Sequence, residues 1–167
     1  MQPAFLRFTL IFLMRGESVL MLHRRKAPNR GLWNGVGGHI EAGETPLACA
    51  LREVSEETGL ALPGLRFAGL VTWDGFETPP GGMYVFTGEA PDGEVVPNGE
   101  GELAWKPLAW VFSEREVVSN IPIFGPRLLK GQTPIEYRFH YRDGVIQSYE
   151  ILDLPPGLAG RDGSLIV

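Results

Sequence analysis

The stretch "GHIEAGETPLACALREVSEETGL", Gly38 to Leu60, passes from a loop into an amphipathic segment. Thr45 suits an N-cap, Pro46 the first helical position and Gly59 a left-handed C-cap, so the spacing predicts a helix over about 46–58. Leu47, Ala50, Leu51, Val54 and Thr58 recur at helical spacing and form the expected core face. Glu53, Glu56 and Glu57 share an arc of about 100°, centred roughly 125° from that apolar face. They point beside the core in this reading, and they repel one another. Like charges at i, i+3 and i, i+4 cost about 0.2–0.5 kcal/mol per pair. Glu56 and Glu57 also sit in the last turn, where the helix dipole disfavours anions by about 0.3–1 kcal/mol each. A solvated acidic face is one account. A divalent cation is the other, because Mg²⁺ takes oxygen ligands while keeping several waters, and three adjacent carboxylates offer it a seat.

Around this helix the chain reads as strands. "FLRFTLIFLM" and "SVLMLHRR" are rich in β-favouring residues, with Arg15-Gly16-Glu17 as the turn. The glycine-rich "KAPNRGLWNGVGGHIEAGE" reads as mostly loop. "LRFAGLVTW" and "MYVFTGE" follow as strands, joined by a turn at "TPPGG", residues 78 to 82. "PDGEVVPNGEGE" reads as an acidic loop, and "IFGPRLLK" as a short helix ended by Gly131. "IEYRFHYRDGVIQSYEIL" alternates about Asp143-Gly144, a favoured two-residue hairpin turn. Residues 1–155 are expected to form one domain and 156–167 a loose tail, with Leu165-Ile166-Val167 able to extend a sheet edge.

The 167 residues, 44% hydrophobic and 21% charged, describe an ordinary globular domain with a full core. The net charge of -5 argues against a nucleic acid polymer as partner, since duplex binding needs a basic surface. A single cysteine, Cys49, excludes an internal disulfide and leaves no zinc-type spacing, so a cytoplasmic location is expected. Arg7 and Thr9 interrupt the apolar N-terminal run, which is too short to span a bilayer; a buried strand is expected there and no membrane partner.

From Gly38 the residues read Gly38, five residues, Glu44, seven residues, Arg52-Glu53-Val54, one residue, Glu56-Glu57, one residue, Gly59-Leu60. This resembles, position for position, the signature of the Nudix hydrolases, G-x5-E-x7-R-E-U-x-E-E-x-G-U with U aliphatic. Agreement at seven fixed and two aliphatic positions has a chance probability on the order of one in ten million. The resemblance implies an α/β fold, a mixed β-sheet between helices, in a single domain. It also implies an Mg²⁺-dependent (or Mn²⁺-dependent) hydrolase of a nucleoside diphosphate linked to another group. Glu53, Glu56 and Glu57 look like metal ligands in that family, with the Gly38 carbonyl as a further one. Arg52 would orient Glu44 or Glu56. Glu53, Glu56 and the downstream Glu100 and Glu102 of "EGELAW" are candidates for the base that activates water.

The pattern Trp33-Asn34-Gly35-x-Gly37-Gly38 resembles the oxidised-purine nucleoside triphosphatase branch of that family. The resemblance implies a triphosphate substrate, in the manner of 8-oxo-dGTP, cut to monophosphate and pyrophosphate. Asn34 would contact the base, Gly37 and Gly38 the substrate, and Arg24, from the basic group Arg24, Arg25, Lys26 and Arg30, the phosphates. That branch reads its base with paired aspartates, where this chain has "VVSNIPIFGP"; Asn120 stands there as a partial substitute. ADP-ribose, nucleotide sugars or dinucleotides are alternative substrates, and a nucleotide sensor without turnover is an alternative role. The family includes monomers and homodimers. His39 and Cys49 call for no chemistry, His23 and His140 read as structural, and the four tryptophans read as core or pocket wall.

Overall fold

The structure, a computed structural model, describes residues 5–76 and 79–166. Strand β1 spans Leu6–Arg15, β2 Ser18–Arg24, β3 Trp33–Asn34 and β4 Val36–His39. Helix α1 spans Pro46–Thr58, followed by β5 Arg66–Asp74, β6 Gly81–Glu89 and β7 Gly101–Pro107. Helix α2 spans Leu108–Val111 and α3 Ile121–Leu128; β8, Ile135–Arg142, and β9, Val145–Leu152, complete the order. All nine strands form one mixed sheet ordered β3-β2-β1-β6-β5-β8-β9, with β4 paired to β1 and β7 to β2. The β1–β6 and β5–β8 pairs are parallel and the others antiparallel.

Both faces of the central strands are covered, which is why β1 and β2 read as continuous apolar runs. Leu10, Phe12, Val19 and Met21 join Ile121, Phe124 and Leu128 of α3 on one face. Ile11, Leu13, Leu20 and Leu22 join Ala50 and Val54 of α1 on the other. The result is the expected α/β arrangement, a mixed sheet between helices.

Helix α1 has the predicted bounds. The Thr45 hydroxyl accepts from the Ala48 N–H at 3.1 Å, and Gly59 takes the left-handed cap at φ 76°. Its buried face is rotated from the expected one. Cys49, Ala50, Val54, Glu57 and Thr58 are buried, whereas Leu47 is 37% exposed. The helix packs on β4 as well as β1, so the buried arc widens toward the acids and takes in Glu57. Leu47 lines an open groove with Leu65, Phe67, Phe86 and Leu165 instead.

Other local expectations fare unevenly. Asp143 and Gly144 take φ of 50° and 75° in the β8–β9 turn, as the sequence demands. The short helix begins at Ile121, two residues earlier than the apolar run suggested, because Pro122 fits its first turn. "PDGEVVPNGEGE" is loop only to Glu100; Gly101 and Glu102 open β7, paired with β2 through Leu22↔Leu103 and Leu20↔Trp105. The "mostly loop" segment holds the short β3 and β4. Of the "TPPGG" turn, Thr78 lies outside the described residues, and Gly81 and Gly82 belong to β6. The tail is docked rather than loose. Leu158 is buried in the α1-side core, and the Ile166 N–H donates to the Leu158 carbonyl at 2.9 Å; Val167 lies outside the described residues. Among the described residues no helix is long and apolar enough to cross a membrane.

Candidate active site

Antiparallel pairing of β4 with β1 sets Gly37 opposite Leu10 and Gly38 opposite Thr9, and α1 lies against β4. This close approach explains the paired glycines. Gly37 has φ 157°, and a Cβ there would overlap the Thr9 carbonyl; a Cβ on Gly38 would overlap the Glu53 carboxylate. The Glu57 carboxylate accepts from the Gly37 N–H at 2.9 Å. A helix acid is thus bonded directly to the backbone of the loop that precedes the helix.

Arg52 organises the remaining acids. Its Nε and Nη2 donate to the two oxygens of Glu44 at 2.7 and 2.9 Å. Nη1 donates to Glu53 at 3.0 Å and to Glu56 at 3.2 Å, and Nη2 also reaches the His39 carbonyl at 3.1 Å. Glu44 in turn accepts from the Glu41 N–H at 3.1 Å, bracing the loop. The forked guanidinium holds Glu44 down to a pKa of about 2. Burial pushes Glu53 and Glu57 the other way, Glu57 to about 8, with the negative charges of Glu53 and Glu100 adding to the rise. Glu57 is only 7% exposed, and the one backbone N–H it receives does not offset its desolvation.

A cleft of about 490 Å³ opens beside these acids. Arg24, Asn34, Gly37, Gly38, Glu53, Glu57, Glu100 and Asn120 all line it. Arg52, Glu56 and Glu102 are not among its lining residues; Glu102 is exposed on β7, paired in register with His23. Arg24 is held by its Nε bond to the Pro28 carbonyl at 2.8 Å, while Arg25, Lys26 and Arg30 are exposed and outside the lining. Asn34 Oδ1 accepts from the Gly35 N–H at 2.9 Å, leaving its Nδ2 for a ligand. Asn120 is 7% exposed; its Nδ2 donates to the Tyr141 hydroxyl at 3.2 Å, and its Oδ1 has no partner among the described residues. A buried acceptor left bare costs about 1–3 kcal/mol, so this oxygen is primed for a donor.

The cleft's apolar wall was not legible in the chain. Phe8, Trp73, Phe76, Met83 and Tyr141 come from β1, the β5 end, β6 and β8, and only sheet order brings them together. Phe76 and Tyr141 rings lie 4.9 Å apart, and Phe8 packs between Trp73 and His39 at 5.9 and 4.3 Å. His39 therefore lines the cleft, and Cys49 is a packed thiol beside the Thr9 hydroxyl and the His39 carbonyl.

The donor set fits a hard divalent cation. Glu53 and Glu57 bring under-compensated carboxylates to the cleft lining, beside the Gly38 backbone of β4. Among the described residues no three carboxylates, imidazoles or thiols converge into a ready coordination sphere; Glu53 and Glu56 both accept from Arg52. Such a site suits an ion that retains water ligands.

Comparison with known proteins agrees with this architecture. The family model described as "NUDIX domain" matches residues 5–124. The chain is similar to a mutator MutT protein from Bacillus halodurans, with 28% identity, a TM-score of 0.71 and coverage of 87% of this chain and 96% of that one. It resembles the MutT NUDIX hydrolase of Burkholderia pseudomallei in fold, at 22% identity and a TM-score of 0.65 over 75% of this chain and 98% of that one. Among curated relatives, the NAD-capped RNA hydrolase NudC of Vibrio parahaemolyticus is 32% identical over 89 residues, 53% of this chain. The chain spans about a third of the length of that relative. With the family model covering well over half of its length, and the Gly38–Leu60 signature folded as loop and capped helix against one cleft, the chain belongs to the NUDIX domain family, whose members are pyrophosphohydrolases acting on phosphoanhydride bonds.

Proposed function

We propose that the protein is a divalent-metal-dependent pyrophosphohydrolase that cuts a nucleoside triphosphate to monophosphate and pyrophosphate. One observation carries the reading. A single cleft is lined by two amides, Asn34 and Asn120, by an aromatic set that includes Tyr141, the partner of Asn120, and by two carboxylates, Glu53 and Glu57. A base fits the amides and a phosphate chain the carboxylates. Glu53, Glu56 and Glu57, with the Gly38 carbonyl, are the oxygens that would hold Mg²⁺ or Mn²⁺. Bound there, the ion would offset phosphate charge and lower the pKa of a water.

The chain's own groups divide the remaining work. Arg24, anchored through Nε, leaves its Nη groups for phosphate oxygens. Arg52 keeps Glu53 and Glu56 oriented without touching substrate. Glu53 or Glu100, both on the cleft, would take the proton from the attacking water. Of the sequence candidates for that role, Glu102 has less support, because it does not line the cleft. Asn34 Nδ2 offers a donor to the base and Asn120 Oδ1 an acceptor. Neutral amides in place of paired acids leave an oxidised purine one of several bases the wall accommodates.

A dinucleotide is the second reading, favoured by the similarity to NAD-capped RNA hydrolases over 53% of the chain. An aromatic wall of Phe8, Trp73, Phe76 and Tyr141 would stack a second ring. Purified protein with Mg²⁺ and a panel of triphosphates, ADP-ribose and NAD separates the two. Pyrophosphate release from triphosphates is expected; turnover of the dinucleotides alone would overturn the first reading.

A further inference from the structure

Behind the cleft's aromatic wall lies a group that the proposed chemistry does not use. His140 Nδ1 is 2.8 Å from the Asp74 carboxylate and its Nε2 is 2.8 Å from the Glu150 carboxylate. A neutral imidazole carries one N–H and one lone pair, so it can donate to only one of two carboxylates. Both contacts to the two carboxylates are hydrogen bonds donated by the ring only when both nitrogens are protonated, so the trio is suited to an imidazolium.

The location gives the trio something to control. Asp74 is the last residue of β5, His140 is its register partner on β8, and Glu150 stands on β9, so one ring ties three adjacent strands. Alternation along β5 and β8 puts His140 and Asp74 on the face opposite Trp73 and Tyr141. Gly75, the next residue after Asp74, lies against the Tyr141 carbonyl so closely that a Cβ would overlap it. Phe76 then meets the Tyr141 ring on the cleft. A β-bulge in the β8–β9 pairing falls between His140 and Tyr141, where ladder support is weakest.

We propose that the Asp74–His140–Glu150 bridge is a proton-dependent strap that holds the Phe76–Tyr141 wall of the cleft. Other charged groups near it do not replace His140. Arg138 is the cross-strand partner of Glu150, but its guanidinium is bonded to the buried Glu136 at 3.1 Å. Arg142 pairs in register with Val145, and Ser148, the partner of His140, is neutral. Glu150 first and Asp74 second raise the His140 pKa. The strap is therefore complete at and below the ordinary histidine range and is lost as pH rises through the raised folded value.

The test separates the strap from the substrate assignment. Ring ¹⁵N NMR on metal-free, nucleotide-free protein should find both His140 nitrogens protonated at neutral pH, with a midpoint above that of an ordinary histidine. The midpoint should fall in Glu150→Gln and in Asp74→Asn. Backbone amide signals of Gly75, Phe76 and Tyr141 should move with the same midpoint, and should lose that transition in His140→Gln. A His140 that titrates at or below the ordinary value overturns the proposal, as do wall amides that ignore its midpoint. With Mg²⁺ and a non-hydrolysable triphosphate, wild-type affinity should drop about fivefold relative to His140→Gln across that midpoint, the size of one exposed charged contact. A constant ratio overturns the link to the cleft. Absence of triphosphate binding at every pH counts against the substrate reading instead, because the NMR results stand without nucleotide.

Discussion

Replacing Arg52 by alanine, Glu44 by glutamine, and both together measures how much the guanidinium hub stabilises the loop–helix unit. Two N–H groups of Arg52 grip the two oxygens of Glu44 at 2.7 and 2.9 Å. The grip is half-sheltered, with side-chain exposures of 25% for Arg52 and 14% for Glu44. Arg52 first, with the Glu41 N–H adding, lowers the Glu44 pKa from 4.5 to about 2 against the opposing effect of burial. At roughly 1.4 kcal/mol per pKa unit, that depression sets an upper bound of about 3.5 kcal/mol on the carboxylate's contribution. Partial solvent screening reduces the pairwise coupling to about 1–3 kcal/mol. Glu44 is depressed on folding, so its contribution is full above about pH 4.5 and is lost as pH falls toward 2. Urea unfolding at pH 7 in EDTA, closed as a double-mutant cycle, reads the coupling, and a repeat at pH 3 should find it substantially reduced. Arg52→Lys should recover less than half of it, because an ammonium cannot grip both oxygens. A coupling below about 0.5 kcal/mol at pH 7, or one that does not change at pH 3, would refute the reasoning.

Glu57→Gln should lower metal-dependent turnover by about a hundredfold or more if that carboxylate holds the ion. The same change should raise metal-free stability at pH 8–9, because Glu57, lifted to about 8 on folding, costs stability as pH rises from 4.5 through 8; melting in EDTA against pH checks this. Gly38→Ala should leave the circular dichroism native while abolishing most turnover, since the added methyl competes with the Glu53 carboxylate for one place. Native turnover in that variant would sink the packing argument. Tyr84→Phe should be neutral or stabilising by up to about 1 kcal/mol in urea unfolding, because the buried Tyr84 hydroxyl has no partner among the described residues.

Local chemistry carried well from chain to fold wherever the deciding contacts lie within a few residues. Thr45, Pro46 and Gly59 set both ends of α1, because capping is a contest among neighbouring backbone groups. Asp143-Gly144 set the β8–β9 turn for the same reason. Strand β7 escaped notice because its opening residues, Gly101 and Glu102, are poor strand formers; pairing with β2 across seven positions overrides that preference. The tail escaped notice likewise, since Leu158 is ordered only by a groove that α1 and the sheet must first create.

The sequence alone determined which acids share a helix face and where that helix starts and stops, because both follow from fixed residue spacing and short-range backbone chemistry. The mixed α/β domain around it was implied by the resemblance of Gly38–Leu60 to the Nudix signature. Only the tertiary structure decided that Glu57 is buried while Glu56 faces Arg52 and solvent, that Asn120 and Tyr141 meet across 21 positions, and that five distant side chains make one wall. The parallel pairings of β1 with β6 and β5 with β8 set those distances. Which strand lies beside which is settled by burying two apolar faces at once, a property of the whole chain that no single segment encodes.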